Sequence, residues 1–584
     1  MRNDLPYNRD NIVVVDADFS RFGVWAGIQP LLSECYESLV SMQDEANLLK
    51  HGRAFWAVLI ECRDAISLPF PTLTDIAAGG VERTRNYAMD RAYRTVHAIC
   101  DALLTHNEKV RSRKFREIYV VNYFKAEHLA QRTFSELSRR GNPAISIIAE
   151  TAPEVWTDLH SGQVMQKKSP LANEILQAFN NSPNHQSRDL CVQEVETLLE
   201  GKNPDLVELY ALPLLNKYIG LNEERKIARA AIRVVGIYNH MGYYHEAAHY
   251  VDYVVRFFDN FLDSGQYYVW NFAGSVCHAL MVTGKAELAR DFMLHRINPL
   301  LTEQNLRSRM FYMLSMIELR YSPQRNLFTG KKYLTKALWA LRSYGFHGDT
   351  EEYLFLKVFL GNGSAFIRAR EGRADRAIAL CQNGYELLTS NLGETMHRLH
   401  RSVLQYNTAQ VLYFLGEFSE SVSFYRMAID MDPNYSEYHN EIGNIYSALE
   451  DFSKAIESYE RAILLSAPYP EVHFNLAICL LRAGSFDDAV THFERSLELD
   501  PAQPAALFMI GEALHSKGDT SGATEYYSRA SRANGELQKP ALLNCVSILK
   551  DEGKVMQAMQ LLSEYDENFP GDPEVAEAAR YVAA

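Results

Sequence analysis

Residues 471–504 read EVHFNLAICLLRAGSFDDAVTHFERSLELDPAQP, and the fold turns on how that stretch recurs along the chain. Ala477 has small counterparts at Ala409, Gly443 and Gly511, each step being 34 residues. Ala489 is matched by Ser421, Ala455 and Ala523, and Phe493 by Tyr425, Tyr459 and Tyr527. Ser496 is matched by Ala428, Ala462 and Ala530. After one extra residue the pattern continues through Val546, Ala558, Leu562 and Pro570. Columns that share one period mark a repeat architecture. Each unit reads as two helices with a turn near Gly416, Gly484, Gly518 or Gly553. The small residues let the two helices approach, and the aromatic packs into the next unit. Pro433, Pro501 and Pro570 fall where the second helix must end. One hairpin cannot bury its own apolar face, so the units must stack.

This pattern resembles a tetratricopeptide repeat (TPR) array, with five units over 402–571 and a capping helix over 573–584. It departs from the family at Gln405, His439 and His473, where the pattern often carries Trp. The resemblance implies a right-handed helical-repeat solenoid whose inner surface, lined by the first helix of each unit, binds protein or peptide. Residues 190–400 continue as helix after helix, read as TPR-like hairpins. Gly242 with Ala247, Gly284 with Ala289 and Gly372 with Ala377 keep the same turn-then-Ala signature, and Lys331–Tyr344 adds an amphipathic helix.

Residues 1–165 read differently. Short β-branched runs stand at Ile12–Asp16, Phe55–Glu61, Glu117–Tyr123 and Ala144–Glu150. Helical stretches near 25–49, 82–106 and 126–139 separate them. Strands alternating with helices predict a smaller α/β domain with a parallel sheet, so the fold class is mainly α with an α/β domain in front. Ligands of such sheets bind at the strand carboxyl ends. The residues there are Asp16, Asp18 and Ser20, then Arg63 and Asp64, then Asn122, then Glu150 and Thr151.

Val13-Val14-Val15-Asp16-Ala17-Asp18 resembles the first motif of haloacid-dehalogenase-type phosphatases. The resemblance implies Asp16 as nucleophile, Asp18 as acid/base and magnesium as cofactor. No Asp-Asp pair follows the later strands to hold that metal. Asp158-Leu159-His160, followed by a helix, resembles the acid and base of GDSL-type hydrolases, without their Gly-Asp-Ser start. His245-Glu246-Ala247-Ala248-His249 puts two imidazoles on one helix face, where they could ligate zinc with Glu246 as base. No third ligand stands at a familiar spacing, and Ala247 belongs to a repeat-like second helix, so no metal site is favoured. Gly361-Asn362-Gly363-Ser364 and Gly79-Gly80 read as turns or loops. No cofactor is predicted. The eight cysteines hold no CxxC pair and read as reduced thiols.

The repeat array offers the stronger candidate. With units starting at 402, position six is Asn407, Glu441, Asn475, Met509 and, after the insertion, Asn544. This resembles the asparagine ladder of O-GlcNAc transferase TPRs. A carboxamide is donor and acceptor at once, so it can grip a peptide backbone without demanding a side chain. Asn440 and Asn444 join the same surface, and Tyr406, Tyr413, Phe474 and Phe508 supply apolar contact. The basic residues of the carboxylate-clamp TPRs are replaced here by Glu437, Asn440 and Glu441, then Glu471, Phe474 and Asn475.

Charge points the same way. The 584-residue chain has a net charge of −14. Residues 402–571 alone hold 11 Lys+Arg and 25 Asp+Glu, so the excess sits in the array and the remainder balances to zero. A neutral or basic extended segment is therefore the expected partner, and neither nucleic acid nor membrane is. The polar start and the lack of a long apolar run predict a cytoplasmic protein. The expected function is a protein- or peptide-binding scaffold that presents its captive to the α/β domain or to a separate enzyme. The alternative is an enzyme acting on a protein or peptide substrate at the Asp16/Asp18 strand end, with the TPRs selecting substrate.

Overall fold

The structure is a computed structural model. It describes residues 8–9, 11–76, 90–110, 114–165, 173–174, 176–177, 196, 204–259, 262, 265–345 and 348–584. Gly79, Gly80 and Cys191 lie outside the described residues. The chain forms two compact units, Met1–Pro433 and Asn434–Ala584.

The first unit opens on a five-stranded sheet of β1 (Asn8–Arg9), β2 (Ile12–Asp16), β3 (Glu117–Val121), β4 (Ser146–Ala152) and β5 (Val155–Asp158), in that spatial order. β2, β3 and β4 are parallel, in the register Val14–Tyr119–Ile148. The edge pairs β1–β2 and β4–β5 are antiparallel, so the sheet is mixed rather than wholly parallel. β5 follows β4 through a tight turn with Glu154 in the left-handed region at φ 64°, too short a link for a parallel crossover. Ile12, Val14, Tyr119, Val121, Ile148 and Trp156 pack with Leu176 on one side of the sheet. Val13, Val15, Ile118, Val120 and Ile147 are buried as well. Near-continuous apolar strands fit a sheet covered on both faces.

The predicted strand at Phe55–Glu61 is not a strand. Phe55 lies in the helix Glu45–Val58, and Ile60–Ala65 is a 3-10 turn. Asp44 caps that helix by accepting from Asn47 N at 3.2 Å, and His51, Ala54, Phe55 and Val58 bury one face at helical spacing. A short apolar run fits either period, and here the N-cap and the continuing stripe decide it. Arg63 therefore ends no strand; its guanidinium lies over the Trp56 ring and donates to Trp56 O.

Helical hairpins make up the rest of the first unit. Glu224–Met241, Gln266–Val282, Gln304–Met316 and Thr350–Arg370 are first helices. Gly242, Gly284 and Gly372 turn with φ of +82°, +79° and +74°, and Ala247, Ala289 and Ala377 are fully buried after them. Two π-helical turns, Met293–Ile297 and Ile317–Tyr321, carry no signature in the sequence. Gly361-Asn362-Gly363-Ser364 is no turn, since all four residues lie inside the helix Thr350–Arg370. A Cβ at Gly363 would stand 2.7 Å from the Tyr312 ring, so that glycine serves a close helix contact. The hairpin Arg398–Phe414 with Phe418–Met431 completes this unit.

The second unit holds four more hairpins. Their first helices are Ser436–Ala448, Pro470–Arg482, Pro504–Lys517 and Gln538–Asp551. Their second helices are Phe452–Leu465, Phe486–Leu499, Thr520–Ser531 and Val555–Asn568, and Pro573–Ala583 closes the chain. The columns read from sequence become contacts. Ala455, Ala477, Ala489, Phe493, Ala523 and Tyr527 have no exposure at all. A Cβ on Gly443 would meet the Tyr459 ring at 2.7 Å, and one on Gly511 the Tyr527 ring at 2.7 Å. The aromatic column thus presses on the small residue of its own hairpin. Tyr527 also clusters with Ala541, Leu542 and Cys545 of the next unit. Where Gly484 and Gly518 turn the chain elsewhere, Glu450 takes the left-handed conformation at φ 59°. His473, where Trp is common, packs against His492 with ring centroids 5.4 Å apart. No described helix is long and apolar enough to cross a membrane.

Candidate functional site

The end of β2 brings Asp16, Asp18 and Asn122 together, as the strand-end rule predicts. Both carboxylates are nearly sealed, at 6% and 5% exposure. Asp16 accepts from Asp18 N at 3.0 Å and Asn122 Nδ2 at 2.9 Å, and pairs with Arg21 at 2.9 Å. Asp18 caps the short helix Phe19–Phe22, accepting from Ser20 N at 3.0 Å and Ser20 Oγ at 2.6 Å. Lys125 reaches its other oxygen at 3.0 Å. Burial pushes the Asp18 carboxyl up, but the Ser20 and Lys125 bonds outweigh it and hold the group below its ordinary value. Asn122 N donates to Glu150 at 2.8 Å, and Thr151 Oγ1 bonds Thr157 Oγ1 at 2.8 Å. Each carboxylate oxygen of the aspartates therefore holds a named loop atom in place.

Asp158 and His160 do not pair with each other's side chains. Asp158 accepts from the backbone of His160 and Ser161, closing a turn after β5, and the residues up to 165 that follow form no helix. His160 instead meets Asn142 Nδ2 at 3.1 Å.

The three residues of the His245–His249 string face different partners. Glu246 points inward at 1% exposure and accepts from Leu129 N at 2.9 Å. Burial pushes its carboxyl up to about 7, the Leu129 bond opposing. His249 Nδ1 lies 3.0 Å from Glu127 Oε1, a bond that raises its pKa. His245 stacks on His128 with centroids 4.5 Å apart, and burial depresses both. Among the described residues no three His, Cys, Asp or Glu side chains gather as a metal-binding group.

The asparagines on the first helices behave otherwise. In the second unit Asn475 Nδ2 donates to Asn440 Oδ1 at 3.1 Å, linking two consecutive first helices. Asn544 Nδ2 donates to Glu512 Oε1 at 2.9 Å, linking the next two. Asn444 differs: it takes the Tyr459 hydroxyl at 2.9 Å and leans on Glu441 at 3.5 Å. Burial pushes the Glu441 carboxyl up. Within the first unit Asn407 Nδ2 donates to Asn362 Oδ1 at 2.8 Å. The Oδ1 atoms of Asn407, Asn475 and Asn544 bond no other described residue. All three residues are half-buried, so each carboxamide is anchored by its amide and open at its carbonyl. Tyr406 stands edge-on to Tyr425 at 5.7 Å and Phe474 edge-on to Phe493 at 5.5 Å, both half-buried beside the asparagines.

Sequence reasoning missed Asn362 and Glu512. Asn362 was hidden in a Gly-rich string and lies 45 residues before Asn407, off the period. Glu512 stands three residues after Met509, one turn along the same helix face, and that offset was the available signal.

The Tetratricopeptide repeat family model matches residues 440–504 and 474–536, so this part of the chain carries TPR repeats. No curated protein matches the chain in sequence. Among solved structures it is similar to the C-terminal part of a TPR repeat-containing protein from Cytophaga hutchinsonii. That match has 16% identity and a TM-score of 0.35, covering 42% of this chain and 95% of that one. It is also similar to pilF of Pseudomonas aeruginosa, at 18% identity over 38% of this chain and 97% of that one, TM-score 0.30. YrrB, described as a TPR protein with an unusual peptide-binding site, matches at 20% identity over 31% of this chain and 92% of its own, TM-score 0.26.

Proposed function

We propose that the chain is a protein- or peptide-binding scaffold whose TPR units capture an extended, neutral or basic segment. The captive is presented to the N-terminal domain or to a separate enzyme. The observation that carries this reading is the set of anchored carboxamides with free carbonyls at Asn407, Asn475 and Asn544. A carboxamide fixed through its nitrogen offers an oriented acceptor to a passing backbone N–H and loses little entropy on binding. The acidic balance of 402–571 supplies the charge preference, and it acts mainly on encounter rate and specificity. The engagement of Asp16 and Asp18 by Arg21, Asn122, Ser20 and Lys125 also supports a scaffold over catalysis at that strand end.

Affinity capture with the full chain, wild type against N407A/N475A/N544A, tests the reading by mass spectrometry. The wild type retains a set of partners that the triple variant loses, with unchanged circular dichroism. Identical capture by both proteins removes the carboxamides from recognition.

A further inference from the structure

A second groove lies in the first unit, away from the asparagines. It is a cavity of about 520 Å³ lined by the first helices of four successive hairpins. Its floor is open backbone, since a Cβ added at Gly236 or Gly274 would meet nothing within 4 Å. Its walls include Trp270, Tyr312, Met313, Phe355 and Phe359, and no Asp or Glu lines it. In a chain with 73 acidic residues that exclusion is informative.

The cations at this groove are of two kinds. Arg309 is matched by Glu352 at 3.0 Å, which Tyr344 also holds at 2.6 Å. Arg320 is different. It sits on the π-helical turn Ile317–Tyr321, is exposed, and its guanidinium lies 4.3 Å from the Phe366 ring centre. Arg370, also exposed, approaches the same ring at 4.9 Å. Neither arginine has a carboxylate partner among the described residues. Two guanidiniums on one ring repel each other, and an anion between them relieves that repulsion with directed donors. A π turn inserted in an α-helix re-aims side chains and often marks a functional position.

We propose that this groove is a second docking surface, whose occupant is an extended peptide segment carrying Asp or Glu beside a large apolar side chain. The apolar side chain enters among Trp270, Tyr312 and Phe355, and the carboxylate rests on Arg320 and Arg370. Charge complementarity selects this occupant, because the groove contains no carboxylate and presents two unmatched cations. Its preference is opposite to that of the acidic repeat array, and the two sites operate independently.

The test is selection of a random dodecapeptide phage library on the full chain, in parallel on R320E/R370E and on N407A/N475A/N544A. Wild type yields a pool of acidic peptides bearing an aromatic or large aliphatic residue, retained by the Asn variant and lost by R320E/R370E. Fluorescence anisotropy of a synthetic pool member gives at least a tenfold weaker Kd for R320E/R370E, and an intermediate loss for Y312A. Both arginines are exposed, so the charge reversals leave the circular dichroism unchanged. Three results overturn the proposal: no acidic pool, an acidic pool that R320E/R370E retains, or peptides that bind only through a free C-terminus. Loss of the acidic pool in the Asn variant would place it on the repeat array instead, and that also overturns the proposal.

Discussion

Two groups of polar side chains lie on first-order sequence signals, and the fold treats them in opposite ways. Asp16 and Asp18, at the end of β2, carry the most chemical-looking motif of the chain. Around them Arg21, Asn122, Ser20 and Lys125 take up both carboxylates, and the loop is built on those bonds. Asn407, Asn475 and Asn544 look like ordinary helix residues. Each is held by one amide bond to a neighbouring first helix and keeps a carbonyl free. What a polar side chain can do depends on which of its donors and acceptors the protein has already engaged.

The contrast can be broken or sharpened by substitution. Tyr459→Ala has the largest expected effect, since the ring is fully buried against Gly443 and its hydroxyl anchors Asn444. It should destabilise the repeat unit by about 3–5 kcal/mol in urea unfolding. Glu246→Gln should stabilise. Folding raises the Glu246 pKa from 4.5 to about 7, so its contribution is fully present below pH 4.5 and lost as pH rises through 7. The glutamine keeps an acceptor for Leu129 N, so melting at pH 8 should gain up to roughly 3 kcal/mol, with little change at pH 4. Asp16→Ala should cost about 2 kcal/mol of stability by leaving Arg21 and Asn122 without their partner. If Asp16→Ala left stability intact, the structural role given to that carboxylate would be wrong. The smallest effect belongs to the Asn440–Asn475 bond, whose double-mutant cycle should give a coupling of about 1 kcal/mol. A zero coupling would mean that the carboxamides are not anchored to each other.

Much of this was legible from residues alone. The 34-residue columns placed every hairpin of the array, because a repeat restates its packing in each unit and Gly443 opposite Tyr459 says the same as Gly511 opposite Tyr527. The strands 12–16, 117–121 and 146–152 were legible as β-branched runs. Phe55–Glu61 was not, because a short apolar run has no period of its own until Asp44 and His51 extend it into a helix. The antiparallel edge strands were hidden in two-residue and four-residue segments. Asn362 was misread because glycines in a row suggest a turn, whereas Gly363 is there to admit Tyr312. The anchoring of the asparagines required coordinates, since Asn475 bonds Asn440 rather than the residue one period before it.

The central claim is that the carboxamides of the first helices hold an extended partner. It is tested most directly by the dissociation constant of one captured segment, measured by titration calorimetry against wild type and N407A/N475A/N544A. Three lost acceptors at about 1 kcal/mol each predict an affinity roughly a hundredfold weaker. A dissociation constant unchanged within twofold, with both proteins folded, would contradict the account.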